Sequence, residues 1–521
     1  MSSRFGIVYY LFPLLLLITY RLLLPDYIID DAYISLRTAL HLADGGGFGF
    51  NAGEHIYVTT SPLWVILLAG VRLIVGDVIL ASSVLGLFFE AGLLILLVRL
   101  GDRVSGSKVV GMIAALLLVV NPVFIVTSGS GMEIALYLFI ILLSVHLLLK
   151  EKYAFGLALA ALTLWIRFDG VLIFAGAVVW SLYAVRASLS WRTLLYLIPS
   201  GAILLGYLLF GELVFDTVIP TSAQRKSMSS PLLLSGEWVA GAYATAREFV
   251  KVMIGKSGYW ITGLSPLVLL LPFLGIGAWK LYTERNRNLL PLLLMTLFYV
   301  GGYVGSGSLL PRHFPWYFIP LLPLVCLTTG VGLARVASFI TQRSSLSRVA
   351  WISIASSLVL VWGVVNWFAI DKSKKILLAN SDGEIEREQV YAAGALWIGA
   401  YLGDGARVAA CEIGTIGFFL PSHVAVLDTY GILRRPEELE QSYIEMIKTY
   451  RPEAVLARDR FEIREGIEKE IKGEYVWHRF KSLDIGLRSD LAPEIEKHLD
   501  ALPEIYESVK LDKEPYSSRE G

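Results

Sequence analysis

Two cysteines in 521 residues leave little redox chemistry to build with. Cys326 lies in an apolar run and Cys411 in a polar tail, so the sequence predicts neither a disulfide nor a thiolate metal site. Charge is scarce too. Asp, Glu, Lys and Arg make up 17% of the chain, where a soluble domain carries about a quarter. Acids and bases balance at 45 each, and zero net charge offers no grip on a nucleic acid. Internal repeats and low-complexity runs are absent. No small-residue cleavage pattern follows the first apolar run, Phe5 to Leu24, so it reads as a retained membrane helix and not a signal peptide.

What the chain has is hydrophobic sequence: 55% of all residues, with a mean hydropathy of +0.62. The distribution is uneven. Of the 90 charged residues, 50 fall in the last 151 positions, 371–521, as 29 acids and 21 bases. One region belongs in lipid and the other in water. Runs near the roughly 20 apolar residues needed to span a bilayer fall near 5–24, 78–98, 109–127, 134–149, 153–168, 170–186, 193–213, 262–281, 289–305, 314–335 and 349–369. The run 61–76 is apolar as well, but counting it as a span would invert every later loop. Without it, Arg4, Arg99/Arg103/Lys108, Lys150/Lys152, Arg186/Arg192, Lys280/Arg285/Arg287 and Arg335/Arg343/Arg348 share one side, which the positive-inside rule makes cytoplasmic.

The fold expected is therefore an all-α polytopic membrane domain of about eleven transmembrane helices over residues 1–370, followed by a small extracytoplasmic α/β domain over 371–521. Outer loops run over 25–61 and 214–261, and 61–76 is a shallow juxtamembrane helix. In the tail, Glu384–Leu402 and Pro436–Tyr450 read as helices and Arg407–Cys411, His423–Leu427 and Glu453–Ala457 as strands. The stretch Pro503–Gly521 reads as a frayed end.

Ionisable groups at membrane depth are costly and mark function. In this topology they gather on the outer side: Asp30 and Asp31, Glu133, Arg167 and Asp169, Arg312 and His313. At 100° per residue, Asp30, Arg37 and His41 fall within about 40° on one helix face, with Leu36, Ala39, Leu40 and Ala43 left to face lipid. Glycines 45, 46, 47 and 49 follow, then Asn51, Glu54 and His55. Thr59, Thr60 and Ser61 precede Pro62 at a helix start, which suits a phosphate. Arginine matches phosphate oxygens bidentately, which fits Arg167 and Arg312.

The stretches Asp30-Asp31-Ala-Tyr-Ile-Ser-Leu-Arg37, Phe50-Asn51-Ala-Gly-Glu54 and Thr60-Ser61-Pro62-Leu63-Trp64 resemble GT-C fold glycosyltransferases. The pattern is most similar to the terminal β-(1→2)-arabinofuranosyltransferases of mycobacterial cell walls. Gly131-Met132-Glu133, Arg167-Phe168-Asp169-Gly170, Gly414-Thr-Ile-Gly417 and Val426-Leu-Asp428-Thr-Tyr-Gly431 resemble further pieces of such enzymes. The resemblance implies a polyprenyl-phosphate sugar donor, a cell-envelope glycan, lipid or protein acceptor, inversion at the anomeric carbon, and a first-loop aspartate as base.

Transfer needs a base for the acceptor hydroxyl and positive groups for the departing phosphate. Asp30 or Asp31 is the expected base, with Arg37 as a neighbour that would keep it ionised. Arg167, Arg312 and His313, assisted by Thr60 and Ser61, are the expected phosphate ligands. Arg37, His41, Glu54, His55, Glu133 and Asp169 are expected to support the site or the acceptor, and Gln224, Arg225 and Lys226 are further acceptor candidates. Asp31 is a candidate ligand for Mg or Mn, and no organic cofactor is implied. The rival reading is a transporter or flippase of lipid-linked sugars, which calls for charges at the midplane and broken helices. A third, a receptor or scaffold, leaves the aspartate pair unexplained.

Overall fold

A computed structural model of the chain describes residues 5–186, 191–227, 235–253, 266–307, 314–343, 361–374, 377, 384–434, 438, 440–458 and 462–515. The first part is helical throughout. It opens with α1 (Val8–Leu23), α2 (Asp30–Ala43), α3 (Pro62–Val75), α4 (Val78–Ser105), α5 (Lys108–Val119), α6 (Pro122–Ser128), α7 (Ile134–Leu149), α8 (Tyr153–Ile166) and α9 (Gly170–Val185). Among the described residues, four helices are long and apolar enough to cross a bilayer alone: Val78–Ser105, Leu195–Phe215, Arg287–Ser306 and Trp316–Thr341. Shorter apolar helices pack around them, and the chain is a multi-pass membrane protein. Of the eleven expected runs, most of 349–369 and the start of 262–281 lie outside the described residues.

The run 109–127 is not one straight span. It breaks into α5 and α6 at an angle of 73°. Pro122 cannot donate a backbone hydrogen bond and biases Asn121 away from helix. The Asn121 side chain then caps α6, accepting from Val123 N at 3.0 Å and Phe124 N at 3.3 Å. The Asn-Pro pair was the available signal.

Helix α3 has 14 residues, so it is about 21 Å long, short of the roughly 30 Å hydrocarbon core. Both its ends join the same group of elements. Ser61 meets Ser35 of α2 at 3.4 Å, and Arg72 pairs with Asp44 at 2.7 Å and with Glu514 at 2.8 Å. Glu514 belongs to the stretch expected to fray, whose described residues, 503–515, are docked instead: Leu502–Ser508 is a helix, and Tyr33 donates to the Leu511 carbonyl at 3.0 Å.

The tail folds into a five-stranded sheet of order β2-β1-β3-β5-β4. Strands β1 (Arg407–Ala410), β2 (Ala425–Asp428) and β3 (Ala454–Arg458) are parallel, with β1 between the other two. The expected strands agree with these within two residues. A β4–β5 hairpin (Tyr475–Phe480, Leu483–Arg488), beyond the three expected strands, adds antiparallel to β3. Its turn places Lys481 at φ +51°, a left-handed position that few non-glycine residues take, so no Asn-Gly or Asp-Gly signal marks it.

Helix α2 departs from expectation. It does not lie on lipid: Leu36 and Ala39, assigned to the lipid face, are fully buried. The helix sits between the membrane helices and the tail, touching α3 on one side and the short helix Ile413–Phe419 on the other. The loop after Phe215 meets the stretch before α3, since Thr221 and Ser222 donate to the carbonyls of Tyr57 and Val58 at 3.1 and 2.8 Å.

Candidate active site

Two adjacent carboxylates open α2, where the helix dipole favours negative charge. Their surroundings separate them. Asp30 is 8% exposed and points into the tail domain, where its Oδ1 accepts the Thr415 N–H at 2.8 Å. Thr415 is the third residue of helix Ile413–Phe419, so Asp30 caps a helix remote in sequence and not its own. Gly414 permits the approach, because a Cβ there would overlap the Asp30 carbonyl. The Thr415 hydroxyl in turn bonds Glu388, which also takes Arg387. Burial, then the Glu388 charge, pushes the Asp30 carboxyl well above the usual carboxylate range, while the Thr415 bond opposes them.

Asp31 is half-buried, and among the described residues it has no hydrogen-bond or ion-pair partner. Ser35 lies one turn further along the same helix face. The Ser35 hydroxyl is 3.4 Å from that of Ser61, and Ser61 is 3.2 Å from that of Thr59. Thr60 is half-buried beside them. The start of α2 also abuts the turn between α6 and α7: Ile29 donates to the Ser130 carbonyl at 3.1 Å, and Trp64 to that of Gly131 at 3.1 Å.

That turn carries Glu133, which joins the third part. Arg167 donates to Glu133 at 2.8 Å and grips Asp169 with Nε at 3.2 Å and Nη2 at 3.0 Å. Asp169 also accepts the hydroxyls of Tyr137, Tyr299 and Tyr303, at 3.2, 2.9 and 2.7 Å. The guanidinium lies 5.0 Å from the centre of the Tyr317 ring. Burial would raise Asp169, but Arg167 and the tyrosine hydroxyls outweigh it and hold the carboxyl below its usual range. Burial wins at Glu133, whose carboxyl is raised in spite of Arg167. Arg167 is thus already engaged by two acids, which departs from the phosphate role expected of it.

Arg37 departs as well. Its fork is taken by four carbonyls: Phe50 at 2.9 Å, Leu420 and Val424 at 3.1 Å, and Gly417. It ties α2 to the tail domain through these backbone groups. His41 Nδ1 is 3.1 Å from the Gly49 carbonyl, which fixes the proton on Nδ1. Burial, then Arg37, lowers its pKa to about 4, so the ring is neutral at pH 7. Glu54 accepts from Asn51 at 3.0 Å, and the Asn51 amide pairs with both backbone groups of Val426 on β2. His55 is exposed. Arg225 donates to the Tyr430 carbonyl at 3.1 Å and Gln224 to that of Ile219 at 2.8 Å. Arg312 and His313, and the side chain of Lys226, lie outside the described residues.

Among the described residues, no three His, Cys, Asp or Glu side chains gather as a metal site. Asp30, the nearest carboxylate to Asp31 in sequence, is turned to Thr415, so these residues do not form the oxygen cage that a divalent cation takes. Ser35, Glu388, Thr415 and the tyrosines were not singled out from sequence. Ser35 was findable, four residues after Asp31 on one face; the others are brought in by tertiary packing.

No family model matches the chain, and no curated protein sequence matches it. Solved structures do. ArnT from Cupriavidus metallidurans bound to undecaprenyl phosphate aligns with a TM-score of 0.60 and 12% identity, over 93% of this chain and 98% of that one. The Archaeoglobus fulgidus oligosaccharyltransferase in its apo form aligns with a TM-score of 0.52 and 10% identity, over 90% and 71%. AglB from the same organism, in complex with an inhibitory peptide and a dolichol-phosphate, gives 0.50 and 10%, over 94% and 74%. The chain shares the GT-C fold of these proteins.

Proposed function

We propose that this protein is an inverting glycosyltransferase that moves a sugar from a polyprenyl-phosphate donor to a cell-envelope glycan, lipid or protein acceptor at the outer face of the membrane. The observation that carries the reading is Asp31: a half-buried carboxylate with no partner among the described residues, one helical turn before Ser35, whose hydroxyl meets that of Ser61. A fold shared with proteins crystallised with undecaprenyl phosphate and dolichol-phosphate supports the donor class. Arabinofuranose as the sugar rests on the first-loop sequence alone. The proposed topology puts the N-terminus in the cytoplasm and the domain 371–521 outside.

In this mechanism the acceptor hydroxyl gives its proton to Asp31 as its oxygen attacks the anomeric carbon. The bond from that carbon to the phosphate oxygen breaks on the opposite face, and polyprenyl phosphate leaves. Asp31 suits the base role better than Asp30, whose raised carboxyl is engaged by Thr415. Arg312 and His313 are the proposed phosphate ligands, with Thr60 and Ser61. Arg167 acts as a positioning residue that holds Glu133 and Asp169. The break at Asn121 gives little support to a transporter, because capping bonds and a 3.1 Å bond to the Val252 carbonyl fill it.

The test is purified protein in lipid nanodiscs with polyprenyl-phosphate arabinofuranose and polyprenyl-phosphate glucose as donors. Release of polyprenyl phosphate with a new glycosidic product supports the reading. In sealed vesicles, movement of the lipid-linked sugar across the membrane without product would replace it with a transporter.

A further inference from the structure

A cavity of about 190 Å³ opens between the end of α1, α4, the α6–α7 turn and Leu377. Its polar side is Arg21, Glu90 and Asp26 with the hydroxyls of Ser82, Ser83 and Ser128. Its apolar lining includes Leu24, Leu87, Ile125 and Val126, and Leu87 is 44% exposed on α4. Glu90 is 1% exposed and pairs with Arg21. Arg21 also donates to the Ile125 carbonyl at 2.9 Å and to Ser128 at 3.0 Å. Four of its five N–H groups are thereby engaged.

The charge count selects the ligand. Among the described lining residues Arg21 and Glu90 cancel, and the exposed Asp26 leaves one negative charge in excess. That repels a phosphate. Carboxylates, serine hydroxyls and one remaining guanidinium N–H suit neutral hydroxyls, which both donate and accept. At about 30 Å³ per water the space holds roughly six waters, enough for one sugar ring. Gly129 and Gly131 line the cavity, and Gly131 packs against Ile28 and Ala32, next to Asp31.

We infer that this cavity is a subsite for the hydroxyl-rich headgroup of a membrane glycolipid, entering sideways from the bilayer. Resting on the transferase reading, it makes the acceptor lipid-borne and seats its non-reacting sugar behind Asp31.

The cavity can be filled without touching the proposed base or phosphate ligands. A Cβ at Gly86 would stand 3.8 Å from the Ser128 carbonyl, so Gly86→Ala fits and Gly86→Leu occupies the space. The experiment is thermal unfolding in phosphatidylcholine nanodiscs, with and without monoglucosyl diacylglycerol. The glycolipid raises the midpoint of the wild type, of Gly86→Ala and of Asp31→Asn, and leaves Gly86→Leu unmoved. Should Gly86→Leu not fold, Ser83→Leu serves as the filling variant. An equal rise in the filled variant overturns the inference, as does an equal or larger rise with phosphatidylglycerol or phosphatidylethanolamine. Free glucose producing the same rise overturns the lipid-borne part. Binding is read without transfer, so a midpoint shift in a protein that transfers nothing defeats the transferase reading alone.

Discussion

The Thr415 N–H donates to Asp30 across 385 residues of sequence, at 2.8 Å. That bond divides the labour of two neighbouring aspartates. Asp30 fastens the tail domain to the start of α2, and Asp31 is left without a hydrogen-bond or ion-pair partner among the described residues.

Asp30 makes the docking of the tail pH-dependent. Its folded pKa lies above the unfolded value of about 3.9, so its contribution is complete below that value and is lost as pH rises through the raised one. Asp30→Asn keeps an oxygen for Thr415 and removes the charge facing Glu388. The expected outcome is a thermal midpoint that declines less than the wild type's from pH 4 to 8. Asp30→Ala loses the cap, about 1 kcal/mol.

His41 works in the opposite direction. Its folded pKa is lowered to about 4, so its stabilisation is present above about 6.5 and is lost as pH falls through 4. His41→Gln can still donate to the Gly49 carbonyl and does not titrate. Midpoints measured between pH 6.5 and 4 should fall less steeply in the variant than in the wild type.

Arg167 and Tyr303 test the buried acid network. Arg167→Met leaves Glu133 and Asp169 uncompensated and should cost roughly 3–5 kcal/mol, read as loss of folded protein in detergent. Tyr303→Phe removes one of three hydroxyls from Asp169 and should cost about 1 kcal/mol, leaving a folded protein.

Arg37→Met strips four carbonyls of their donor, at roughly 3 kcal/mol or more. Arg37→Lys cannot span the same fork and should recover little of it. Limited proteolysis reads the result: the tail domain should be cut faster in both variants.

Where the sequence was legible, single-residue physics decided the outcome. Apolar runs located α1, α3, α4 and α7 to α9 and merged α5 with α6, and hydrophobic strand patterns located β1, β2 and β3. Glu133, Arg167 and Asp169 were flagged by charge at membrane depth, and they do meet. The misreadings share one cause. Periodicity on α2 separates an apolar face from a polar one, but a helix packed between two bodies buries both. Asp30 and Arg37 read as site chemistry, while their partners include tail-domain backbone groups that no local pattern reveals. Lys481 marks the same limit in the hairpin, where an atypical residue makes the turn.

The central claim is that Asp31, and not Asp30, takes the acceptor proton. The direct measurement is transfer from a polyprenyl-phosphate sugar by Asp31→Asn and Asp30→Asn, each checked for wild-type folding. The account predicts a loss of roughly 10²–10⁴-fold for Asp31→Asn and a much smaller loss for Asp30→Asn. Unchanged transfer by Asp31→Asn, or the larger loss at Asp30, would contradict it.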